Sequence, residues 1–192
     1  TFNLNPSALD MENLDLRLDI SSESGEWQSS IPVYVVGSKI NYRQFSITNG
    51  NLSPGQSADI SITLDNIGAT ESGSMSATLS TQNNQITVTD EYGEWSSISS
   101  GQFEASQNNF SIDCDGDIIN GSMIPMNLHI QSDNGYDQTI VFNLQIGTVS
   151  STDPLGPDEY GYYIYGSEDI SYQWAPVYDW IEINPSQGGS GQ

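Results

Sequence analysis

One block of this sequence occurs twice, and a chain that repeats a strand-like block is confined to a small set of β architectures. Phe2-Asn3-Leu4 opens a stretch that continues through Leu14-Asp15-Leu16-Arg17-Leu18-Asp19-Ile20. It passes a Ser/Gly/Glu turn and closes on Ile31-Pro32-Val33-Tyr34-Val35-Val36-Gly37. The same order returns as Phe110-Ser111-Ile112, then Met126-Asn127-Leu128-His129-Ile130, an Asp-Asn-Gly turn, and Ile140-Val141-Phe142-Asn143-Leu144-Gln145-Ile146-Gly147. Both copies alternate apolar and polar residues, the period of strands with one face buried. Three such strands read as the closing half of a β-sandwich. The second copy follows its own opening half, residues 38–109, and the first does not. The expectation is an all-β chain that begins inside one sandwich (residues 1–37), continues through a complete one (38–147) and ends in a connector (148–192). On this reading the chain is a slice of something longer.

The alternation predicts strands over 1–5, 13–21 and 30–36, with turns at Asn5-Pro6 and Ser24-Gly25. Further strands are predicted over 37–49, 58–66, 75–81, 86–88, 110–112, 124–131 and 139–146. In the run Ala58–Asn66, Ile60, Ile62 and Leu64 should face the core. Residues 90–101 read as a polar connection, and no stretch shows a 3.6-residue period, so almost no helix is expected. After Gly147 the character changes: residues 152–192 hold six of the ten Tyr and four of the eight Pro. Two strands are predicted there, Tyr160–Tyr165 and Val177–Ile183, before a tail of flexible-linker composition, Gly188-Gly189-Ser190-Gly191-Gln192.

Only Arg17, Lys39 and Arg43 oppose 25 acidic residues, for a net charge of −22. Nucleic-acid binding needs a basic face to replace phosphate counterions, and anionic lipid needs the same, so both are excluded as partners. No run of 18 apolar residues offers a membrane span. The charge reads first as a solubility device for a salty medium, where repulsion is screened. The sharper alternative is that some carboxylates hold divalent cations. Cys114 is the single cysteine, so no intrachain disulfide forms. Scarce lysine, abundant Ser, Asn and Gly, and one cysteine together favour an extracellular or cell-surface bacterial setting.

Cys114 and His129 are the one pairing of nucleophile and base of the Cys–His type. His129, between Leu128 and Ile130, should face solvent, and the acidic surroundings of Cys114 should suppress its thiolate. No phosphate loop or serine elbow is present, and no catalytic residue is assigned. Asp113, Asp115 and Asp117 are spaced two apart in Asp-Cys-Asp-Gly-Asp, a pattern that offers oxygens to calcium but misses the EF-hand arrangement of Gly and closing Glu. A second acidic group, Asp153, Asp158 and Glu159, lies on a Pro/Gly-fixed turn that Asp169 and Asp179 could approach. Against calcium stands the plainer reading of exposed turns and an ordered connector whose Tyr rings pack on neighbouring modules. Exposed Trp27, Trp95, Trp174 and Trp180, with Tyr160 and Tyr162, are candidates for packing or for stacking on sugar rings. Two Gly-Glu-Trp triplets, at Gly25 and Gly93, fall at non-equivalent repeat positions and read as coincidence.

The sandwich block, with Asn51-Leu52-Ser53-Pro54-Gly55 opening an alternating strand, resembles the immunoglobulin-like modules of large secreted bacterial proteins. The string Asp153-Pro154-Leu155-Gly156-Pro157-Asp158 through Tyr165, with Ala175-Pro176-Val177-Tyr178-Asp179-Trp180-Ile181-Glu182-Ile183, is similar to non-catalytic regions of gingipain-like (peptidase family C25) proteins. That resemblance implies export by type IX secretion and a structural or adhesive role beside other domains. In that family the catalytic His precedes the Cys within an α/β domain. Here Cys114 precedes His129 in a sandwich, so no catalytic role carries over. The expectation is a non-catalytic module that spaces, displays or assembles a larger protein. Its partners would be neighbouring domains or other copies of the chain. The alternatives are calcium-dependent glycan binding and a filament built by strand donation, in which another copy completes the unfinished sandwich.

Overall fold

A computed structural model describes residue 10, residues 12–166, and residues 168, 169, 172 and 175. Eleven strands form its regular structure, and no helix occurs among the described residues. β1 (Asn13–Ser22) and β2 (Gly25–Tyr34) make a two-stranded antiparallel hairpin of their own. β3 (Ile40–Gly50), β4 (Ser57–Asn66), β9 (Phe110–Cys114) and β6 (Ile86–Asp90) lie side by side in that order. The short β8 (Phe103–Ala105) also pairs with β4. The facing sheet runs β11 (Asp137–Ile146), β10 (Ser122–Ser132), β5 (Met75–Ser80), β7 (Tyr92–Trp95).

The alternation explains why these segments pair as they do. Ile60, Ile62 and Leu64 on β4, Phe110 and Ile112 on β9, and Met126, Leu128 and Ile130 on β10 are all 0% exposed and meet in one core. Fully burying each such side chain contributes about 1.5–3 kcal/mol. The predicted inward positions of β4 are therefore observed. Its other face is covered too: Ser61 and Thr63 are buried, and Ser106 reaches Ser61 through a hydroxyl contact of 3.0 Å. Trp95 lies on the core floor and donates its ring N–H to the Ile62 carbonyl at 3.1 Å.

Three expectations are corrected. The stretch expected as a polar connection contains β7. Gly93 and Trp95 face inward there, and the absent Gly93 side chain makes room for the Phe110 ring, which a Cβ would approach to 2.2 Å. β2 starts at Gly25, five residues before the predicted strand, because cross-strand pairing with β1 continues to the turn. The predicted strand Tyr160–Tyr165 reduces to one antiparallel bridge, Leu155 with Ile164. The strands predicted over 1–5 and 177–183 lie outside the described residues.

Chain direction sets where the flanking segments meet the sandwich. Ile40 sits by the β10–β11 turn, where the Tyr136 hydroxyl donates to the Ile40 carbonyl at 3.4 Å. At the other pole the Gly147 N–H donates to the Leu52 carbonyl at 2.8 Å. The polypeptide thus enters the sandwich at one end of its strands and leaves at the other.

Candidate functional site

The exit pole carries the most developed polar site. Asn120, on the loop before β10, and Ser122, the first residue of β10, face the segment after β11. Asp153 folds inward and is 8% exposed. Its Oδ1 accepts the Asn120 amide at 3.1 Å and the Tyr172 hydroxyl, and its Oδ2 accepts the Ser150 N–H at 2.6 Å. Burial pushes this carboxyl up, but the donors from Tyr172, Asn120 and Ser150 outweigh it and hold the group at about 2. Beside it the Tyr163 hydroxyl meets the Ser122 hydroxyl at 2.9 Å. Val149 covers Gly121, where a Cβ would come within 2.1 Å of the valine methyl. The connector after β11 is therefore latched to the sandwich by side chains from both partners.

The remaining acidic candidates lie in two stretches of the chain, 113–117 and 158–169. Asp113 is exposed, since its neighbours Ile112 and Cys114 turn into the core. Asp115 and Asp117 are exposed, and the Asp115 carboxylate accepts the Asp117 N–H at 3.0 Å. Asp158 accepts the N–H groups of Tyr160 and Tyr162, both at 2.9 Å, and so caps its own turn. Glu159 is exposed. Asp169 is buried and accepts the Gly166 N–H. Among the described residues no three His, Cys, Asp or Glu side chains come together as a set that could hold a metal ion. Asp179 lies outside the described residues.

The aromatic candidates divide. Tyr160 and Tyr162 are 75% and 72% exposed and share the connector surface with Leu155 and Ile164. Trp27 is 51% exposed, but Trp95 is 2% exposed and offers no ring to a ligand, which corrects its place among the exposed set. Trp174 and Trp180 lie outside the described residues. A cleft of about 510 Å³ opens beside β7, walled by Ser76, Glu94, Gln107, Gln131 and Asp133.

Cys114 and His129 do not meet. The thiol is buried, and burial, together with the charge of Asp113, pushes it up. His129 stands on the exposed face of β10, with its Nε2 2.8 Å from Asp137. Among the described residues no helix is long and apolar enough to cross a membrane.

The β1–β2 hairpin is two-faced. Cross-strand pairs place Leu14 with Val33, Leu16 with Ile31, Leu18 with Ser29 and Ile20 with Trp27 on one face. The charged Asp15, Arg17, Asp19 and Glu26 stand on the other. In the sandwich, Ile124 with Leu144, Met126 with Phe142 and Leu128 with Ile140 form the same ladder on β10 and β11. There Ile124, Met126, Leu128, Phe142 and Leu144 are at most 5% exposed. On the hairpin, Leu18, Ile20, Trp27 and Ile31 are 46–51% exposed.

Sequence reasoning missed Asn66, which is 0% exposed at the end of β4. Its amide donates to the carbonyls of Thr70 at 2.7 Å and Ile98 at 2.9 Å. Its oxygen accepts the N–H groups of Gly68 and Lys39. The nearby Gly68, next to the backbone of Gly37 and Lys39, was the available signal of a tight crossing. Comparison with protein-family models and with curated proteins finds no match to this chain.

Proposed function

We propose that this chain is a non-catalytic structural module of a large secreted bacterial protein, with immunoglobulin-like architecture, that spaces and displays neighbouring domains outside the cell. The carrying observation is directional: the chain enters the sandwich at Ile40 and leaves at Gly147 at the opposite pole, where the connector is latched through Asp153. A spacer needs that arrangement, because entry and exit at opposite ends convert strand length into separation, and a pinned exit fixes the direction of the next domain. The strand orders β3-β4-β9-β6 and β11-β10-β5-β7 support the immunoglobulin-like assignment, since they fit an A-B-E-D sheet against a G-F-C sheet with one added strand. The matching ladders of β1–β2 and β10–β11 support tandem modules. Net charge of −22 and scarce lysine favour the extracellular setting, and the Asp153–Tyr165 string supports a gingipain-like, type IX-secreted parent.

Spin labels on Ser99→Cys and Tyr160→Cys test the spacer. A narrow distance distribution in solution is expected, and a broad one, typical of a free tether, refutes it. A second reading, calcium-dependent glycan recognition, is favoured by the exposed rings of Tyr160 and Tyr162 beside Asp158 and Glu159. A glycan array with calcium and after chelation decides it: absence of sugar binding in both conditions discards this reading.

A further inference from the structure

We propose that the groove along β5, on the outward face of the β10-β5-β7 sheet, is a binding site for an uncharged oligosaccharide. The groove follows from side-chain size. Met75, Ala77 and Leu79 turn into the core, so Ser76, Thr78 and Ser80 of the same strand face outward. Register sets longer side chains on both sides of these short hydroxyls. Ser76 pairs with Glu94 on β7 and with Gln131 on β10, and Thr78 pairs with Tyr92 and His129. A strand of short side chains between two strands of long ones makes a trough. The cleft of about 510 Å³ at its Ser76 end falls within the range of about 300–1,000 Å³ usual for small-molecule sites. From Ser74 to Ser80 the trough runs roughly 20 Å at about 3.4 Å per residue, room for about four sugar rings.

The walls select the ligand. Small-molecule sites are mostly apolar, whereas Ser76, Glu94, Gln107, Gln131 and Asp133 offer hydroxyls, amides and carboxylates. Hydroxyls and amides both donate and accept, and carboxylates accept; the hydroxyls of a sugar match that set. No Lys or Arg lines the cleft, so an anionic ligand would leave its charge unpaired there. Glu94 rises from β7 and Asp133 from the turn after β10, and no third acidic side chain joins them as a set for a cation among the described residues. One cross-strand row along, Tyr92 is 47% exposed, and its hydroxyl donates to Glu94 Oε1 at 2.7 Å. Its fixed ring offers an apolar face to a pyranose. Other side chains are held before any ligand arrives. Gln107 donates to the Ser96 hydroxyl at 2.7 Å and Gln131 to Asp137 at 3.0 Å. The Asn108 side chain closes the edge of β7, accepting the Glu94 N–H at 2.9 Å and donating to the Tyr92 carbonyl at 2.6 Å. Groups ordered in advance lower the cost of binding.

This groove is separate from Tyr160 and Tyr162 on the connector and needs no calcium. It adds a ligand to the spacer, and the label-distance test of the spacer stays independent of it. The isotope-labelled full chain, in chelator, is titrated with neutral hexasaccharides of β-1,4-glucose, β-1,4-xylose and α-1,6-mannose while amide shifts are followed. At least one sugar should shift the amides of Ser76, Glu94 and Gln131, with a dissociation constant of about 0.1–1 mM. The affinity should hold between about 0.05 and 0.5 M NaCl, since no charge pairing contributes. Ser76→Trp fills the trough and should weaken binding about 10-fold or more. Glu94→Gln keeps the shape and should weaken it about 3- to 10-fold, which carries the result if Ser76→Trp lowers the thermal midpoint. Thr87→Trp, on the other sheet, should bind as the wild type does. No shift with any of the three sugars, shifts centred on Tyr160 and Tyr162 instead, or undiminished binding by the folded Ser76→Trp or by Glu94→Gln overturns the proposal. Tighter, salt-sensitive binding of hexalysine at the same amides also overturns it, by showing that the carboxylates select a cation.

Discussion

Replacing Asp153 by Asn tests whether charge holds the connector to the sandwich. The substitution keeps the shape and one acceptor oxygen but turns the other into a donor. All three partners of Asp153 are donors: the Asn120 amide, the Tyr172 hydroxyl and the Ser150 N–H. Either orientation of the new amide therefore sets N–H against a donor. The magnitude comes from the titration of the carboxyl, which lies at about 2 in the folded chain against an ordinary 3.8. That gap corresponds to roughly 2 kcal/mol of preference for the charged form in the latched state. The depressed folded value makes the contribution fully present above pH ~4 and lost as the pH falls through about 2. Hydrogen exchange at the Ser150 and Ile164 amides, corrected for intrinsic rates, reads the latch directly. At pH 7 the variant should exchange about 30-fold faster at these amides, the equivalent of about 2 kcal/mol, while β4 and β10 amides stay unchanged. The wild type should show the same local loss as pH drops from about 4 to about 2. Equal protection of variant and wild type at pH 7 would refute the claim that the carboxylate, rather than its shape, docks the connector.

Three further outcomes are expected. Asn66→Asp places a carboxylate oxygen against the buried carbonyls of Thr70 and Ile98 and should destabilise the sandwich by about 3 kcal/mol or more, read as a lower urea midpoint; an unchanged midpoint removes Asn66 as the organiser of that pole. Gly93→Ala drives a methyl into the Phe110 ring and should cost about 1–3 kcal/mol in thermal unfolding, with part of the loss recovered in the double variant with Phe110→Leu. Cys114, buried and with its thiol pushed up, should resist alkylation at pH 8 in the folded chain and react on unfolding; fast modification of native protein contradicts its place in the core.

The elements legible in the sequence were those whose alternation is long and strong. β1, β4, β10 and β11 each carry four apolar residues at two-residue spacing, and that pattern survives tertiary context because one face must be buried. β7 was hidden because its inward residues are Gly93 and Trp95: a glycine gives no hydropathy signal, and its use as space for Phe110 depends on the opposite sheet. The same cause misplaced Trp95 among the exposed rings. β8 spans three residues, too few for a period to register. Asp153 was legible as a member of an acidic group and not as a latch, because its donors stand on Asn120 and Tyr172, 33 and 19 residues away. The repeat exposed the hairpin ladder, yet only cross-strand register showed that its charges all stand on one side.

The opposed positions of Ile40 and Gly147 carry a mechanical consequence. Tension applied through the flanking segments pulls β3 and β11 lengthwise, from contrary poles, against ladders whose hydrogen bonds run across the strands. Such a pull loads many bonds in shear at once instead of unzipping them singly. A string of modules joined this way should behave as a stiff tether that holds its length until a whole domain yields.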